Sequence, residues 1–204
     1  MSIGGTVKEV LDKMAAGDVE LALRDATIAL DATAGKMYPN LKGNKARFLR
    51  FVDENVKFIT GFTFHSTVFT GRLSMTYPDP RSATGTSLQS FGDVLYDIRC
   101  HSVHEAVLPE SVVIDDNCLG AGKPFRLIRT IPVGLAAAVV AAHVNYKEQL
   151  PLNYSFVVGR RHARVADYWG QGVALWDWFE SARKAMVESD EYKAWVKARA
   201  DRRR

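Results

Sequence analysis

Ile131-Pro-Val-Gly-Leu-Ala-Ala-Ala-Val-Val-Ala-Ala-His-Val144 is the stretch whose reading decides the fold. Proline is tolerated in a first helical turn, and the residues after it predict a helix over Val133–Val144 that is apolar on every side. Such a helix has no face to give to water. It must lie at the centre of a bundle, which places the chain in the mainly α class. The apolar run Val133–His143 is about eleven residues, short of the roughly 20 needed to cross a bilayer, so no membrane association is expected.

Working outward, Val7–Met14 reads as a short helix stopped at Gly17. Asp18 then caps a longer helix to about Ala34, with Leu23, Ala26, Leu30 and Ala34 on one face, ended by Gly35 and the Tyr38-Pro39 turn. Asn44 is set to cap the next helix, whose core stripe is Phe48, Phe51, Val52, Val56 and Ile59. Between Thr63 and Ser87 the chain turns Thr-rich and β-branched, then Pro78 and Pro80 lead into Arg81-Ser-Ala-Thr-Gly-Thr86. The expectation there is a strand or ribbon followed by a long, mobile loop. Ser87 opens a third long helix, Leu88–His104, with Phe91, Val94, Leu95 and Ile98 inward. Ser111–Asp115 and Phe125–Thr130 read as a hairpin joined by Asn117–Lys123. Tyr154–Val158 suits a strand, and Gly170–Met186 and Glu191–Ala200 suit helices.

The 204 residues are 47% hydrophobic and 25% charged, which excludes global disorder, a collagen-like repeat and a coiled-coil rod. The net charge of +4 is not spread evenly. Residues 159–204 hold eleven Arg or Lys against seven Asp or Glu, and all four tryptophans, so the basic excess belongs to the tail. The expected organisation is a helical bundle over 1–150 and an aromatic, basic extension over 151–204. The N-terminus shows no basic stretch followed by an apolar run. Two cysteines, Cys100 and Cys118, lack metal-type spacing; a soluble, cytoplasmic protein with reduced thiols is expected.

Chemistry concentrates in Asp93-Val-Leu-Tyr-Asp-Ile-Arg-Cys-His-Ser-Val-His104. Arg99 offers a planar fork of donors for a phosphate, and His104, five positions on, can move protons near neutral pH. Together they are a minimum kit for cleaving RNA without a metal: a base for the 2′-hydroxyl and a cation for the charged phosphorane. His101, Ser102, Asp97 and Asp93 stand as supporting candidates.

Leu95-Tyr-Asp-Ile-Arg-Cys-His-Ser-Val-His-Glu105, followed by Ile131-Pro-Val-Gly-Leu-Ala-Ala-Ala-Val-Val140, resembles the HEPN superfamily (higher eukaryotes and prokaryotes nucleotide-binding domains). The resemblance covers about residues 18–146 and is specific around 93–105. It implies a HEPN-like helical bundle with a β-hairpin excursion, RNA as substrate, and a homodimer whose paired motif helices form one cleft. By the same resemblance Arg99 would contact the scissile phosphate and His104 would act as base or acid, with no metal or other cofactor. A toxin–antitoxin or defence role, with a cognate antitoxin or regulator, is also implied. Cys100 stands where the family usually has a polar residue, and many members are catalytically inactive interaction modules.

Helical geometry leaves alternatives open. Asp93, Asp97, His101 and His104 fall within about an 80° stripe, while Arg99 lies roughly 140° from His104. Asp97 could fix the His101 tautomer, or Asp93, Asp97, His101 and His104 could bind a divalent metal for a hydrolase. Arg99 and Asp97 could equally be salt-bridge residues. In the tail, Arg160-Arg-His-Ala-Arg164 beside Tyr168-Trp169 combines cations with stacking surfaces, which suits single-stranded nucleic acid through Arg160, Arg161 and Arg164; a solvated loop with core aromatics is the other, favoured reading. Trp176, Phe179 and Trp195 are expected to pack the tail onto the bundle or a second chain. His143 is expected in the core. Gly120-Ala-Gly-Lys-Pro124 lacks the spacing of a phosphate loop and reads as a turn.

Overall fold

A computed structural model describes residues 2–105, 107–116, 119–120, 123–149 and 153–201. Cys118, the 150/151 boundary and the terminal Arg202–Arg204 lie outside the described residues. Helix α1 (Ile3–Ala16) starts earlier than its apolar spacing predicts, because the Ser2 hydroxyl accepts the Gly5 N–H and satisfies the first turn. It ends at Gly17, whose φ of 85° is the left-handed turn that lets α2 (Val19–Met37) fold back on it. α2 runs through Gly35 to Met37, and Asp18 makes no side-chain cap bond. α3 (Asn44–Phe64) begins after Gly43, so Asn44 is its first helical residue and not its cap.

The strand or ribbon expected between Thr63 and Ser87 is β1 (Ser74–Pro78), but in place of a long loop the chain turns back into β2 (Thr86–Ser90), which pairs with it as a hairpin. Residues 79–85 form its turn, closed by Asp79 N–H to Gly85 O and Gly85 N–H to Ser82 O. Helix α4 (Phe91–His104) therefore starts one turn later than expected, capped by Ser90 and not Ser87. A second correction concerns β3 (Val112–Asp115) and β4 (Phe125–Ile128), which pair in parallel and are not a hairpin. The connection returns to the start of β3, where the Ser111 carbonyl accepts the Phe125 N–H at 2.7 Å, so the strands run the same way.

Helix α5 (Ile131–Ala141) is the centre. All its residues but Val133 are buried, sheathed by α2, α3 and α1. Its ends are tied down: the Thr130 hydroxyl donates to the Thr63 carbonyl at 2.7 Å, and buried Asn145 donates to Val139 O at 2.9 Å and to Thr33 Oγ1 at 3.0 Å. The helix stops at Ala141, so His143 falls in an exposed 3-10 turn (His143–Asn145), not in the core. No helix among the described residues is long and apolar enough to cross a membrane.

The C-terminal segment adds a hairpin, β5 (Ser155–Val158) with β6 (Arg161–Arg164), then α6 (Gly172–Glu188) and α7 (Asp190–Asp201). α6 docks through Phe179, whose ring lies 4.8 Å from Phe62 of α3, and through Trp176, 5.4 Å from Phe58. This is the packing expected of Trp176 and Phe179. Trp195 does not pack onto the bundle and is 48% exposed. None of the described side chains of α7 is buried.

Two outcomes follow for stability. A Cβ on Gly134 would stand 2.2 Å from the Ile59 carbonyl oxygen and 2.3 Å from Thr63 Oγ1. Gly134→Ala should therefore destabilise the protein by about 2–4 kcal/mol in urea titration, against the roughly 1 kcal/mol gain that helix propensity alone dictates. His65 sits at φ 54° in a tight turn closed by Ser66 N–H to Phe64 O, and burial holds its imidazole below the ordinary value near 6.5, opposed by a backbone hydrogen bond at Phe62. The unfolded chain takes up that proton first, so stability should fall as pH drops below about 6.5, and His65→Gln should remove that component of the pH profile.

Candidate functional site

The α4 segment opens at Ser90, whose hydroxyl accepts the Asp93 N–H at 3.1 Å and donates to the Asp93 carboxylate at 2.6 Å. Lys45 of α3 reaches the same carboxylate at 2.8 Å. Burial works to raise the Asp93 carboxyl, but the hydrogen bonds from Lys45 and Ser90 outweigh it and hold the group below the usual carboxylate range. Asp93 is thus part of the helix start and lies two to three turns from the two histidines.

Further along, Phe91, Val94, Leu95, Ile98 and Ser102 form the buried face of α4. The remaining candidates divide to either side of that face. On one flank Arg99 reaches α2 and binds Asp31 at 2.8 Å through one Nη. The pair is 16% and 19% exposed, and the guanidinium lies over the Tyr96 ring at 5.9 Å. Burial alone would weaken the Arg99 charge; the Asp31 carboxylate more than offsets it and raises the guanidinium pKa further. Among the described residues the buried Arg99 Nε has no hydrogen-bond partner. The buried Ser102 hydroxyl, beside a small cleft lined by Arg24 and Val107, likewise has none among them.

On the other flank stand Asp97, His101 and His104. The Tyr77 hydroxyl, from β1, donates to Asp97 Oδ2 at 2.9 Å. Burial, then the adjacent Asp97 charge, pushes the Tyr77 phenol well above its ordinary value, so it stays a proton donor to that carboxylate. His101 Nδ1 lies 3.0 Å from the Asp97 carbonyl oxygen and 3.9 Å from its carboxylate. That contact anchors one ring nitrogen and leaves Nε2 for a substrate. His104, one turn on, is exposed and without a partner among the described residues, at a helix end where a cation is favoured.

No hydrogen bond or ion pair joins Arg99 to His104. Nor do Asp93, Asp97, His101 and His104 converge on a metal: no group of three or more His, Cys, Asp or Glu among the described residues could hold one. Two residues that matter here escape a reading of the sequence. Asp31 sits on the rim of the α2 stripe, and only its helical phase hints at a lateral partner. Tyr77 belongs to a strand whose pairing with β2 sets it against α4.

In the tail, Arg160 and Arg161 are exposed on the β5–β6 turn, while Arg164 pairs with Asp167 at 2.9 Å. Trp169 is buried and unavailable as a stacking surface, in keeping with the reading of a solvated loop with core aromatics. The structure brings Tyr192 and Trp195 to Arg160 and Arg161 instead, along one groove.

The Arg99–Asp31 pair should behave as a coupled, half-buried unit. Asp31→Ala and Arg99→Ala are each expected to lower stability by about 1–3 kcal/mol, and the double substitution by clearly less than their sum, as measured by a urea-denaturation cycle. In comparisons with known proteins, a family model described as Rv1289 matches residues 2–195. No curated protein and no solved structure matches the chain.

Proposed function

The chain belongs to the Rv1289 family, and on the chemistry of its α4 residues we propose that it is a HEPN-like RNA-binding protein that cleaves RNA without a metal at a site shared by two copies. The observation that carries this reading is the solvent-facing pair His101 and His104, one helical turn apart, with His101 anchored through Asp97. A second observation explains why one copy is not enough. Arg99 lies on the opposite flank of α4, held by Asp31, so the phosphate-binding cation and the proton-moving groups of one chain face different ways. Packing two α4 ends about a two-fold axis sets one copy's Arg99 flank against the other's histidine flank.

In that cleft His104 takes the proton from the ribose 2′-hydroxyl. The 2′-oxygen attacks phosphorus and forms the new P–O bond. The P–O bond to the 5′-oxygen breaks, and His101 delivers the proton that the leaving oxygen requires. The products are a 2′,3′-cyclic phosphate and a 5′-hydroxyl. Arg99 of the second copy meets the charge that gathers on the phosphorane oxygens. Asp31 acts as the orienting group for that guanidinium.

The Arg99–Asp31 pair also favours a second reading, in which it braces α2 against α4 in a catalytically inactive interaction module. Labelled RNA incubated in EDTA separates the two. Wild type is expected to cleave, and His104→Ala and Arg99→Ala each to lose on the order of a hundred-fold or more in rate. Mixing the two inactive variants should restore roughly a quarter of the wild-type activity, because half the dimers are mixed and each carries one intact composite site. No cleavage by wild type, or cleavage that survives both substitutions, overturns the nuclease reading. No recovery on mixing overturns the shared site.

A further inference from the structure

The second feature with the makings of a site is remote from α4. A groove of about 760 Å³ runs between the β5–β6 hairpin and the α6–α7 corner. Val158, Ala182 and Met186 floor it with apolar surface. One wall carries Arg160 and Arg161 on the hairpin turn. The other carries Tyr192 and Trp195 of α7, their rings stacked 5.8 Å apart at an interplanar angle of 28°. Trp195 is 48% exposed, and Arg199 lies over its ring at 5.2 Å.

Tyr192, Trp195 and Arg199 support one another at helical spacing, but none of the described side chains of α7 is buried, and the Trp195 ring keeps exposed surface toward the groove. The cations opposite are equally poorly used. Arg160 pairs with Glu191 across the groove mouth, but both side chains are largely exposed and such pairs contribute little. Arg161 spends one nitrogen on the Ser181 hydroxyl and keeps the rest of its fork for solvent. Planar, sequence-tolerant rings on one wall and guanidinium groups on the other match a strand whose bases stack and whose phosphates alternate with them. A duplex keeps its bases paired inside and offers no ring to Trp195. An acidic peptide would use the arginines and leave the aromatic wall idle.

We propose that this groove binds single-stranded RNA, with bases stacked on Trp195 and Tyr192 and backbone phosphates on Arg160 and Arg161. Glu191 competes with the phosphate for Arg160 and sets the affinity below its maximum. The groove deepens the nuclease reading by naming the form of RNA it retains, and its binding is separable from cleavage.

The test uses full-length protein and a fluorescein-labelled 2′-O-methyl oligouridylate, which lacks a free 2′-hydroxyl and cannot be cleaved. Trp195→Ala and the double change Arg160→Ala/Arg161→Ala are expected to weaken binding on the order of ten-fold each. The arginine variant should also lower the salt slope by about 0.7 for each phosphate it no longer neutralises. Glu191→Gln should tighten binding several-fold, a change opposite in sign to any general damage, and circular dichroism checks that each variant is folded. Unchanged affinity and salt slope in the variants overturn the proposal, as does absence of binding by wild type. Equal affinity for duplex RNA or for polyglutamate also overturns it, reducing the groove to a general anion surface. Binding that follows these expectations in a protein that cleaves no RNA would sink the nuclease reading alone and leave the groove standing.

Discussion

The close approach of α3 and α5 at Gly134 is the constraint on which the rest of the structure depends. α5 has no polar side, so every neighbour must come near enough to exclude water from it, and at Gly134 the Ile59 carbonyl and Thr63 hydroxyl occupy the space a side chain would need. That contact fixes where α3 ends, and the end of α3 launches the β1–β2 hairpin that supplies Tyr77 to α4. The other end of α5 is bound into the same scheme: Asn145 closes on Val139 and Thr33, and the Gly170 N–H donates to the Val140 carbonyl at 2.8 Å. The C-terminal elements are thereby seated on the bundle through backbone as well as through Phe179.

α4 lies against this assembly by one apolar face, and everything chemical about it follows from what its two flanks meet. One flank meets α2 and yields a charge pair. The other meets β1 and places Asp97 between the Tyr77 hydroxyl, which donates to its carboxylate, and His101, which meets its backbone carbonyl, with His104 exposed one turn on. A single helix thus carries a fixed cation on one flank and two histidines on the other. Arg99 and Asp31 meet through one short, half-buried contact, which is the economy of a structural strut.

The tail shows the opposite relation between charge and structure. Its net positive charge is shared with carboxylates, as at Arg160–Glu191 and Arg164–Asp167, so formal charge alone says little about what the surface binds. The groove acquires its character from geometry, in which two exposed rings on α7 are held opposite two arginines roughly thirty residues earlier in the chain.

Much of the bundle was legible in the sequence because helical periodicity is local: the stripes of α2, α3 and α4 and the all-apolar α5 need only their own residues to be recognised. Element ends were less legible, since Ser90 and not Ser87 became the cap of α4 once β2 had claimed the residues before it. Strand direction was not legible at all, because β3 and β4 carry the same alternation whether parallel or antiparallel. His143 was misplaced for a related reason, as the turn that exposes it is set by Asn145 reaching Thr33 on another helix. By itself, then, the sequence determined the helical class, the central helix and the residues able to do chemistry on α4, all short-range properties of spacing and side-chain type. Only the tertiary structure decided that Arg99 would face Asp31, that Asp97 would face Tyr77, and that Trp195 and Arg160 would line one groove. Those residues lie 68, 20 and 35 positions apart in the chain, and no local preference of one specifies the other.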